Sequence, residues 1–240
     1  MKKIINGVES LLEESLTGFA KAHSDIIQFN VTPHFVNRKQ NGAVGKVALV
    51  SGGGSGHEPL HTGLVGMGML DAACPGQVFT SPTPDQMMAA AEAVETGGGV
   101  LFIVKNYAGD VMNFEIASEM LDCEHETVLV ADDVSLPKDH STGRRGVAGT
   151  LVVEKIVGAA AEAGASLAEC KELGDRVNNA TASMGVALTS CTVPAIGTPT
   201  FDIADNEIEM GVGIHGERGR EVMDLANASD IVEHLTTAID

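Results

Sequence analysis

Basic residues are scarce in this chain: Lys and Arg total 15 against 33 Asp and Glu, a formal net charge of -18 over 240 residues. So acidic a surface repels phosphate backbones and anionic lipid, and neither nucleic acid nor membrane is expected as a partner. The excess suits plain solubility or adaptation to high salt, and the sequence leaves both open. Cysteine is sparse too. Cys74, Cys123, Cys170 and Cys191 form no C-x-x-C pair and no Cys/His cluster of zinc spacing, so buried free thiols in a reducing compartment are expected, and no metal site. Long apolar runs are missing: nowhere do 18 apolar residues follow one another, which excludes a transmembrane helix. The N-terminal MKKIINGVESLLEESL has two lysines followed only by an amphipathic segment, so no signal peptide is read and a cytoplasmic location is expected.

What the chain does have is apolar content, 44%, enough to bury one large or two modest cores. From Lys46 onward short apolar runs at Val47 to Val50, Val100 to Val104 and Thr127 to Ala131 read as buried strands. Between the first two, Pro84-Asp85-Gln86 opens an Ala/Met-rich stretch to Val94 that a glycine cluster closes, the pattern of a helix. Between the second and third, Asp110 to Leu121 has amphipathic spacing. Strand, helix, strand, helix, strand predicts an α/β fold: a mainly parallel sheet flanked by helices. Further helices are expected at Thr150 to Ala163 and Ser166 to Asn179, the latter from the capping-box pair Ser166 and Glu169. Met184 to Cys191 and Glu207 to Ile214 read as strands of a second, smaller α/β domain. The boundaries expected are 1–182 and 183–240. The methionines are read as core filler rather than a cofactor box.

Three segments could carry chemistry. Ser51-Gly52-Gly53-Gly54-Ser55-Gly56-His57-Glu58-Pro59 follows a predicted strand and is read as a glycine loop, where backbone amides can approach a ligand at a sheet's carboxyl edge. It lacks the Lys-Ser/Thr ending of a phosphate-binding P-loop, and a structural tight turn explains the glycines equally well. His57, ending that loop, suits an acid, base or hydrogen-bond donor, or simply a loop histidine. Lys105-Asn106-Tyr107-Ala108-Gly109-Asp110 follows a second predicted strand, and Asp110 fits either a helix cap or a functional carboxylate. If the two strands are adjacent and parallel, both segments meet on one edge. Gly211-Val212-Gly213-Ile214-His215-Gly216-Glu217 places an imidazole between glycines at a predicted strand end, with space for a ligand to reach a ring nitrogen that can attack a carbonyl.

Six blocks in order, SGGGSGHEPLHTG (51–63), GMLDAACPGQVFTSPTPDQM (68–87), KNYAGDVMNFE (105–115), GRRGVAGT (143–150), MGVALTSCTVP (184–194) and GVGIHGE (211–217), resemble the K subunit of dihydroxyacetone kinases. The resemblance implies a glycerone phosphotransferase subunit in which His215 forms a hemiaminal with the ketone carbon of dihydroxyacetone. It places the hydroxyl-contacting residues at Gly54, Ser55, Gly56, His57, Lys105 and Asp110, with His57 and Asp110 sharing the acid-base work. It implies no cofactor in this chain: ATP or ADP with magnesium belongs to a separate L subunit, charged from ATP or through a phosphotransferase-system phosphocarrier. A homodimer is implied as well. The alternative the resemblance offers is a dihydroxyacetone-binding co-activator of transcription without turnover. Two departures stand out. Gly216-Glu217-Arg218-Gly219 replaces the family's Gly-Glu-Pro-Gly, and the chain stops at Asp240, so the second domain is expected to be incomplete.

Overall fold

Leu101 and Ile103 project from one side of an extended segment and Val100, Phe102 and Val104 from the other, and all five are buried. A strand apolar on both faces must be covered on both, and in the computed structural model, which describes residues 2–240, it is. It is an interior strand of a six-stranded sheet. The strands are β1 (Ile27–Val31), β2 (His34–Arg38), β3 (Ala48–Ser55), β4 (Ala72–Val78), β5 (Val100–Lys105) and β6 (His125–Val130). Their order is β1-β2-β4-β3-β5-β6; β4, β3, β5 and β6 run parallel, and β2 and β1 extend the sheet antiparallel.

Helices α2 (Pro84–Val94) and α3 (Ala108–Glu119) cover one face, burying Met87, Ala90, Ala91, Val94, Phe114 and Ala117 against Val50, Phe102 and Val104. Helices α1 (Leu11–Ala22), α4 (Gly149–Glu162) and α5 (Leu167–Asn179) cover the other, where Leu12, Leu16, Val153, Val157 and Ala161 meet Leu49, Leu101 and Ile103. Each of the Val, Leu, Ile, Phe and Met side chains taken fully out of water contributes about 1.5–3 kcal/mol, the alanines less. The helix starts follow local rules. Pro84 sits in the first turn of α2 and the Thr83 amide donates to Gln86 Oε1 at 2.9 Å. Before α5 the Ser166 amide donates to Glu169 Oε2 at 2.8 Å, the expected capping box.

Charge at the far end of the parallel strands is neutralised internally. Asp71, entering β4, accepts from Arg38 at 2.9 Å, from Lys46 at 2.6 Å and from the Leu49 amide at 2.8 Å, and Arg38 also reaches Glu162 at 2.8 Å.

After α5 comes a second sheet of three antiparallel strands, β7 (Val186–Ala187), β8 (Glu207–Met210) and β9 (Glu221–Asp224), in that order, then α6 (Ala228–Ile239), which buries no residue. Three expectations need correction. The glycines of 52–54 are not a loop but lie within β3, paired to β4 and fully buried, because small residues let Phe79, Thr80 and Pro82 pack directly on the strand. The strand expected over Met184 to Cys191 is only two residues long, since the segment after it is turn and bridge around Pro194. The strand expected to reach Ile214 ends at Met210, because Gly211 takes φ +74° and turns the chain. Of the four free cysteines, Cys74 and Cys170 are buried as expected, whereas Cys123 is half-buried and Cys191 exposed.

Candidate functional site

Because β3 and β5 are adjacent and parallel, their carboxyl ends deliver His57 and Lys105 to the same edge, and the turn into α3 brings Tyr107 and Asp110 beside them. His215 arrives from the second sheet. It lies in a turn between β8 and β9, not at a strand end, and its ring stands edge-on 4.9 Å from that of His57 and 4.6 Å from that of Tyr107. Phe79, at a φ of +57°, stacks flat on His57 at 4.7 Å and closes the other side.

The turn carrying His215 is held from two directions. Arg145 donates to Asp133 and Ser135 after β6 and to the Gly211 carbonyl, each at 2.7 Å, so a side chain of the 143–150 block pins the second sheet to the first. Glu217 folds back on the histidine: its carboxylate accepts from the His215 amide at 3.0 Å and lies 3.0 Å from the ring's Nδ1. A carboxylate there is an acceptor, so Nδ1 carries the proton and Nε2 keeps its lone pair. Gly213 makes the approach possible, since a Cβ at that position would stand 2.1 Å from Glu217 Oε2. Burial alone would raise the Glu217 pKa, but the hydrogen bonds it accepts, first that from the His215 ring, prevail and hold it down to about 2.

Around this ring, buried polar atoms are left without partners. Among the described residues His57 Nε2, Tyr107 Oη and Asp110 Oδ1 have no hydrogen-bond partner, an unusual concentration at one edge where buried polar groups are normally paired. Tyr107, not Asp110, is the N-cap of α3; Asp110 is the acidic residue of its first turn, and its Oδ1 is buried without a partner. Burial raises its pKa, against the lowering effects of Lys105, a hydrogen bond with Ser81 and His215. Burial, followed by the charges of His215 and Lys105, drives His57 down to about 4, so its ring is neutral at physiological pH.

The remaining expected residues are present with restricted roles. Gly54 faces the Phe79–Thr80 backbone, where a Cβ would come within 2.6 Å. The Ser55 hydroxyl donates to the Gly76 carbonyl at 2.7 Å, and the Gly56 amide donates to the Glu58 carboxylate at 3.1 Å. These two groups are therefore engaged within the protein. Sequence reasoning did not single out Phe79, Tyr107, Arg145 or Glu217 individually, although each lies inside a block that it quoted. Among the described residues no cluster of three or more His, Cys, Asp or Glu side chains could hold a metal ion, and no helix is long and apolar enough to cross a membrane.

The chain is similar to known proteins along nearly all its length. It is 51% identical over 239 residues to the dihydroxyacetone-binding subunit DhaK of the PEP-dependent dihydroxyacetone kinase of Escherichia coli, covering 98% of this chain and 67% of that one. The structure matches the crystal structure of the dihydroxyacetone kinase of C. freundii with a TM-score of 0.90 and 37% identity, covering 99% of this chain and 45% of that chain. It also matches the dihydroxyacetone kinase operon co-activator Dha-DhaQ with a TM-score of 0.86 and 32% identity, over 95% of this chain and 70% of that one. The Dak1 domain model matches residues 17–240, and with these likenesses it establishes that the chain belongs to the Dak1 family.

Proposed function

We propose that this chain is the substrate-binding subunit of a dihydroxyacetone kinase, a phosphotransferase, and that it holds the ketone covalently on His215. The observation that carries the reading is an imidazole whose Nδ1 is tied to Glu217 and whose ring borders the unpartnered polar atoms of His57, Tyr107 and Asp110. Nε2 attacks the carbonyl carbon. As the C–N bond forms, the carbonyl π pair moves to oxygen, the alkoxide gains a proton, and the ring releases its Nδ1 proton toward Glu217 and solvent, leaving a neutral hemiaminal. The covalent bond selects ketones and aldehydes over polyols and fixes the hydroxyl that is to be phosphorylated.

Asp110 and His57 then share that hydroxyl proton, its oxygen attacks phosphorus, and breakdown of the hemiaminal releases dihydroxyacetone phosphate. Lys105 and the strand end Gly54, Ser55 and Gly56 frame the substrate. In this reading the phosphoryl donor is ATP with magnesium on a partner L subunit; transfer leaves ADP there, which is either exchanged for ATP or rephosphorylated through a phosphotransferase-system phosphocarrier. The chain works in the cytoplasm as a homodimer, with residues 1–182 forming the sheet domain and 183–240 belonging to a second domain that supplies the covalent histidine.

The likeness to a co-activator favours a second reading, capture without turnover. Asp110 separates the two: a sensor needs the capturing histidine but has no use for a buried carboxylate beside it with one oxygen left unpartnered. The deciding experiment combines the chain with an L subunit, its phosphoryl donor and dihydroxyacetone. Formation of dihydroxyacetone phosphate is expected; ketone capture without any product would leave the co-activator reading.

A further inference from the structure

Behind Lys105 lies a second row of buried polar side chains, His61 and Glu154, that the reaction above does not use. Lys105 closes β5 only 1% exposed, and its Nζ lies 2.6 Å from His61 Nε2. His61 follows His57 by one turn, and its Nδ1 lies 2.7 Å from Oε1 of Glu154 and 3.1 Å from Oγ of Ser51. The Ser51 hydroxyl donates to the Ile103 carbonyl at 2.6 Å, so it offers the imidazole only lone pairs. That fixes the tautomer: Nδ1 carries the proton and donates to Glu154 and Ser51, and Nε2 accepts from the amine. Three side chains from a strand, a turn and a helix thus form one directed row.

Two observations mark the row as built. Glu154 is wholly buried on the stripe of α4 that also carries Val153, Val157 and Ala161, a position where a carboxylate is costly unless it answers a charge. And β3 makes way for the amine, since a Cβ on Gly53 would stand 2.3 Å from Lys105 Nζ and 3.4 Å from His61 Nε2.

We propose that His61 and Glu154 are positioning residues for the site: through a buried Lys105–His61–Glu154 relay they keep the Lys105 amine charged and held against the substrate's hydroxyl groups. The part played toward substrate rests on the ketone-kinase reading; the relay itself does not. The charged and titratable groups facing the amine are Glu154 from α4, His61 from the turn after β3, Asp110 from α3 and His57 at the site. Burial lowers the Lys105 pKa, and Asp110 and Glu154 oppose that. Glu154 in turn is pushed up to about 8 by its own burial, against the lowering pull of Lys105 and Ser51. Asp110 acts on the amine through space and Glu154 through His61, so removing the Glu154 carboxyl takes away one of the two groups that favour the charged amine.

The test is a titration of Lys105 by NMR in protein carrying lysine labelled with carbon-13 at Cε, the signal being assigned by its loss in Lys105→Arg. Glu154→Gln keeps the shape and removes the charge, and the Lys105 midpoint is expected to fall by about one unit, a tenfold loss of protonated amine at a pH above it. Glu154→Asp, which keeps the charge one methylene farther away, is expected to fall less. A midpoint unmoved in either folded variant overturns the proposal. Capture of dihydroxyacetone is measured on the same samples: a moving Lys105 in a protein that captures no ketone upholds the relay and sinks the ketone reading, whereas capture with an unmoved Lys105 does the reverse.

Discussion

Replacing Glu217 with Gln probes how His215 is made a nucleophile. The carboxylate accepts two hydrogen bonds from His215, one from the amide and one from Nδ1, each at 3.0 Å. Bonds to a charged acceptor contribute about 1.5–3 kcal/mol and neutral ones about 0.5–1.5. The difference for the ring bond is then about 1–1.5 kcal/mol, taken at the low end because the Glu217 side chain is 39% exposed and solvent screens it. A further loss follows from chemistry: the amide of Gln can turn its N–H toward Nδ1, which moves the ring proton to the attacking Nε2. Together these predict a fall of roughly tenfold in the equilibrium constant for adduct formation. Carbon-13 NMR of dihydroxyacetone labelled at its carbonyl carbon, titrated with protein at neutral pH, measures that constant. Adduct formation within twofold of the unaltered chain, in Glu217→Gln and Glu217→Ala alike, would refute the claim that this carboxylate sets the tautomer.

Asp110→Asn is expected to retain ketone capture while phosphoryl transfer falls by about 10²–10⁴-fold, the usual weight of an acid-base group, in a reconstituted assay with the L subunit. The His57 ring, titrated by nitrogen-15 NMR, is expected near its buried value of about 4. Its unfolded pKa is higher, near 6.5, so the unfolded chain binds the extra proton and this residue withdraws stability as pH falls from about 6.5 toward 4, contributing nothing above that window. Asp71→Ala removes the shared partner of buried Arg38 and Lys46, leaving Glu162 to Arg38 at 2.8 Å and to Lys46 only at 4.0 Å, and is expected to destabilise the chain by about 3 kcal/mol in urea unfolding, with ketone capture by the folded fraction unchanged.

The parts of the fold legible in the sequence are those where one physical signal dominates. β5 and β6 appear as apolar runs, α2 begins at a proline and α5 at a capping box, and each is where the pattern put it. β4 escaped because Pro75 and Gly76 interrupt it; they are tolerated since the strand's partners and Pro82 pack tightly over them. β1 and β2 escaped because their polar residues are satisfied across the hairpin, as Asn30 and Asn37 are at 2.8 Å. The glycine run was taken for a loop because glycine ordinarily weakens a strand; here close packing of the Phe79–Pro82 segment outweighs that.

At the site, His57, Asp110 and His215 could be singled out because functional side chains near glycines at predicted element ends are conspicuous. Arg145 and Glu217 work through long-range or turn geometry that no spacing rule encodes. Glu154 did leave a trace: it falls on the apolar face of α4 at the helical repeat from Thr150, Val157 and Gly158, a lone charge where the period calls for core. The relay partners, His61 and Lys105, are separated by 44 residues and meet only because β3 and β5 are neighbours.

The central claim is that His215 binds the ketone through a carbon–nitrogen bond. Carbonyl-labelled dihydroxyacetone mixed with the chain should show a new tetrahedral carbon signal coupled to nitrogen-15 when histidine alone is labelled, and His215→Ala should abolish it with the rest of the protein spectrum intact. A coupled signal that persists in His215→Ala, or ketone bound with its carbonyl carbon still trigonal, would contradict it.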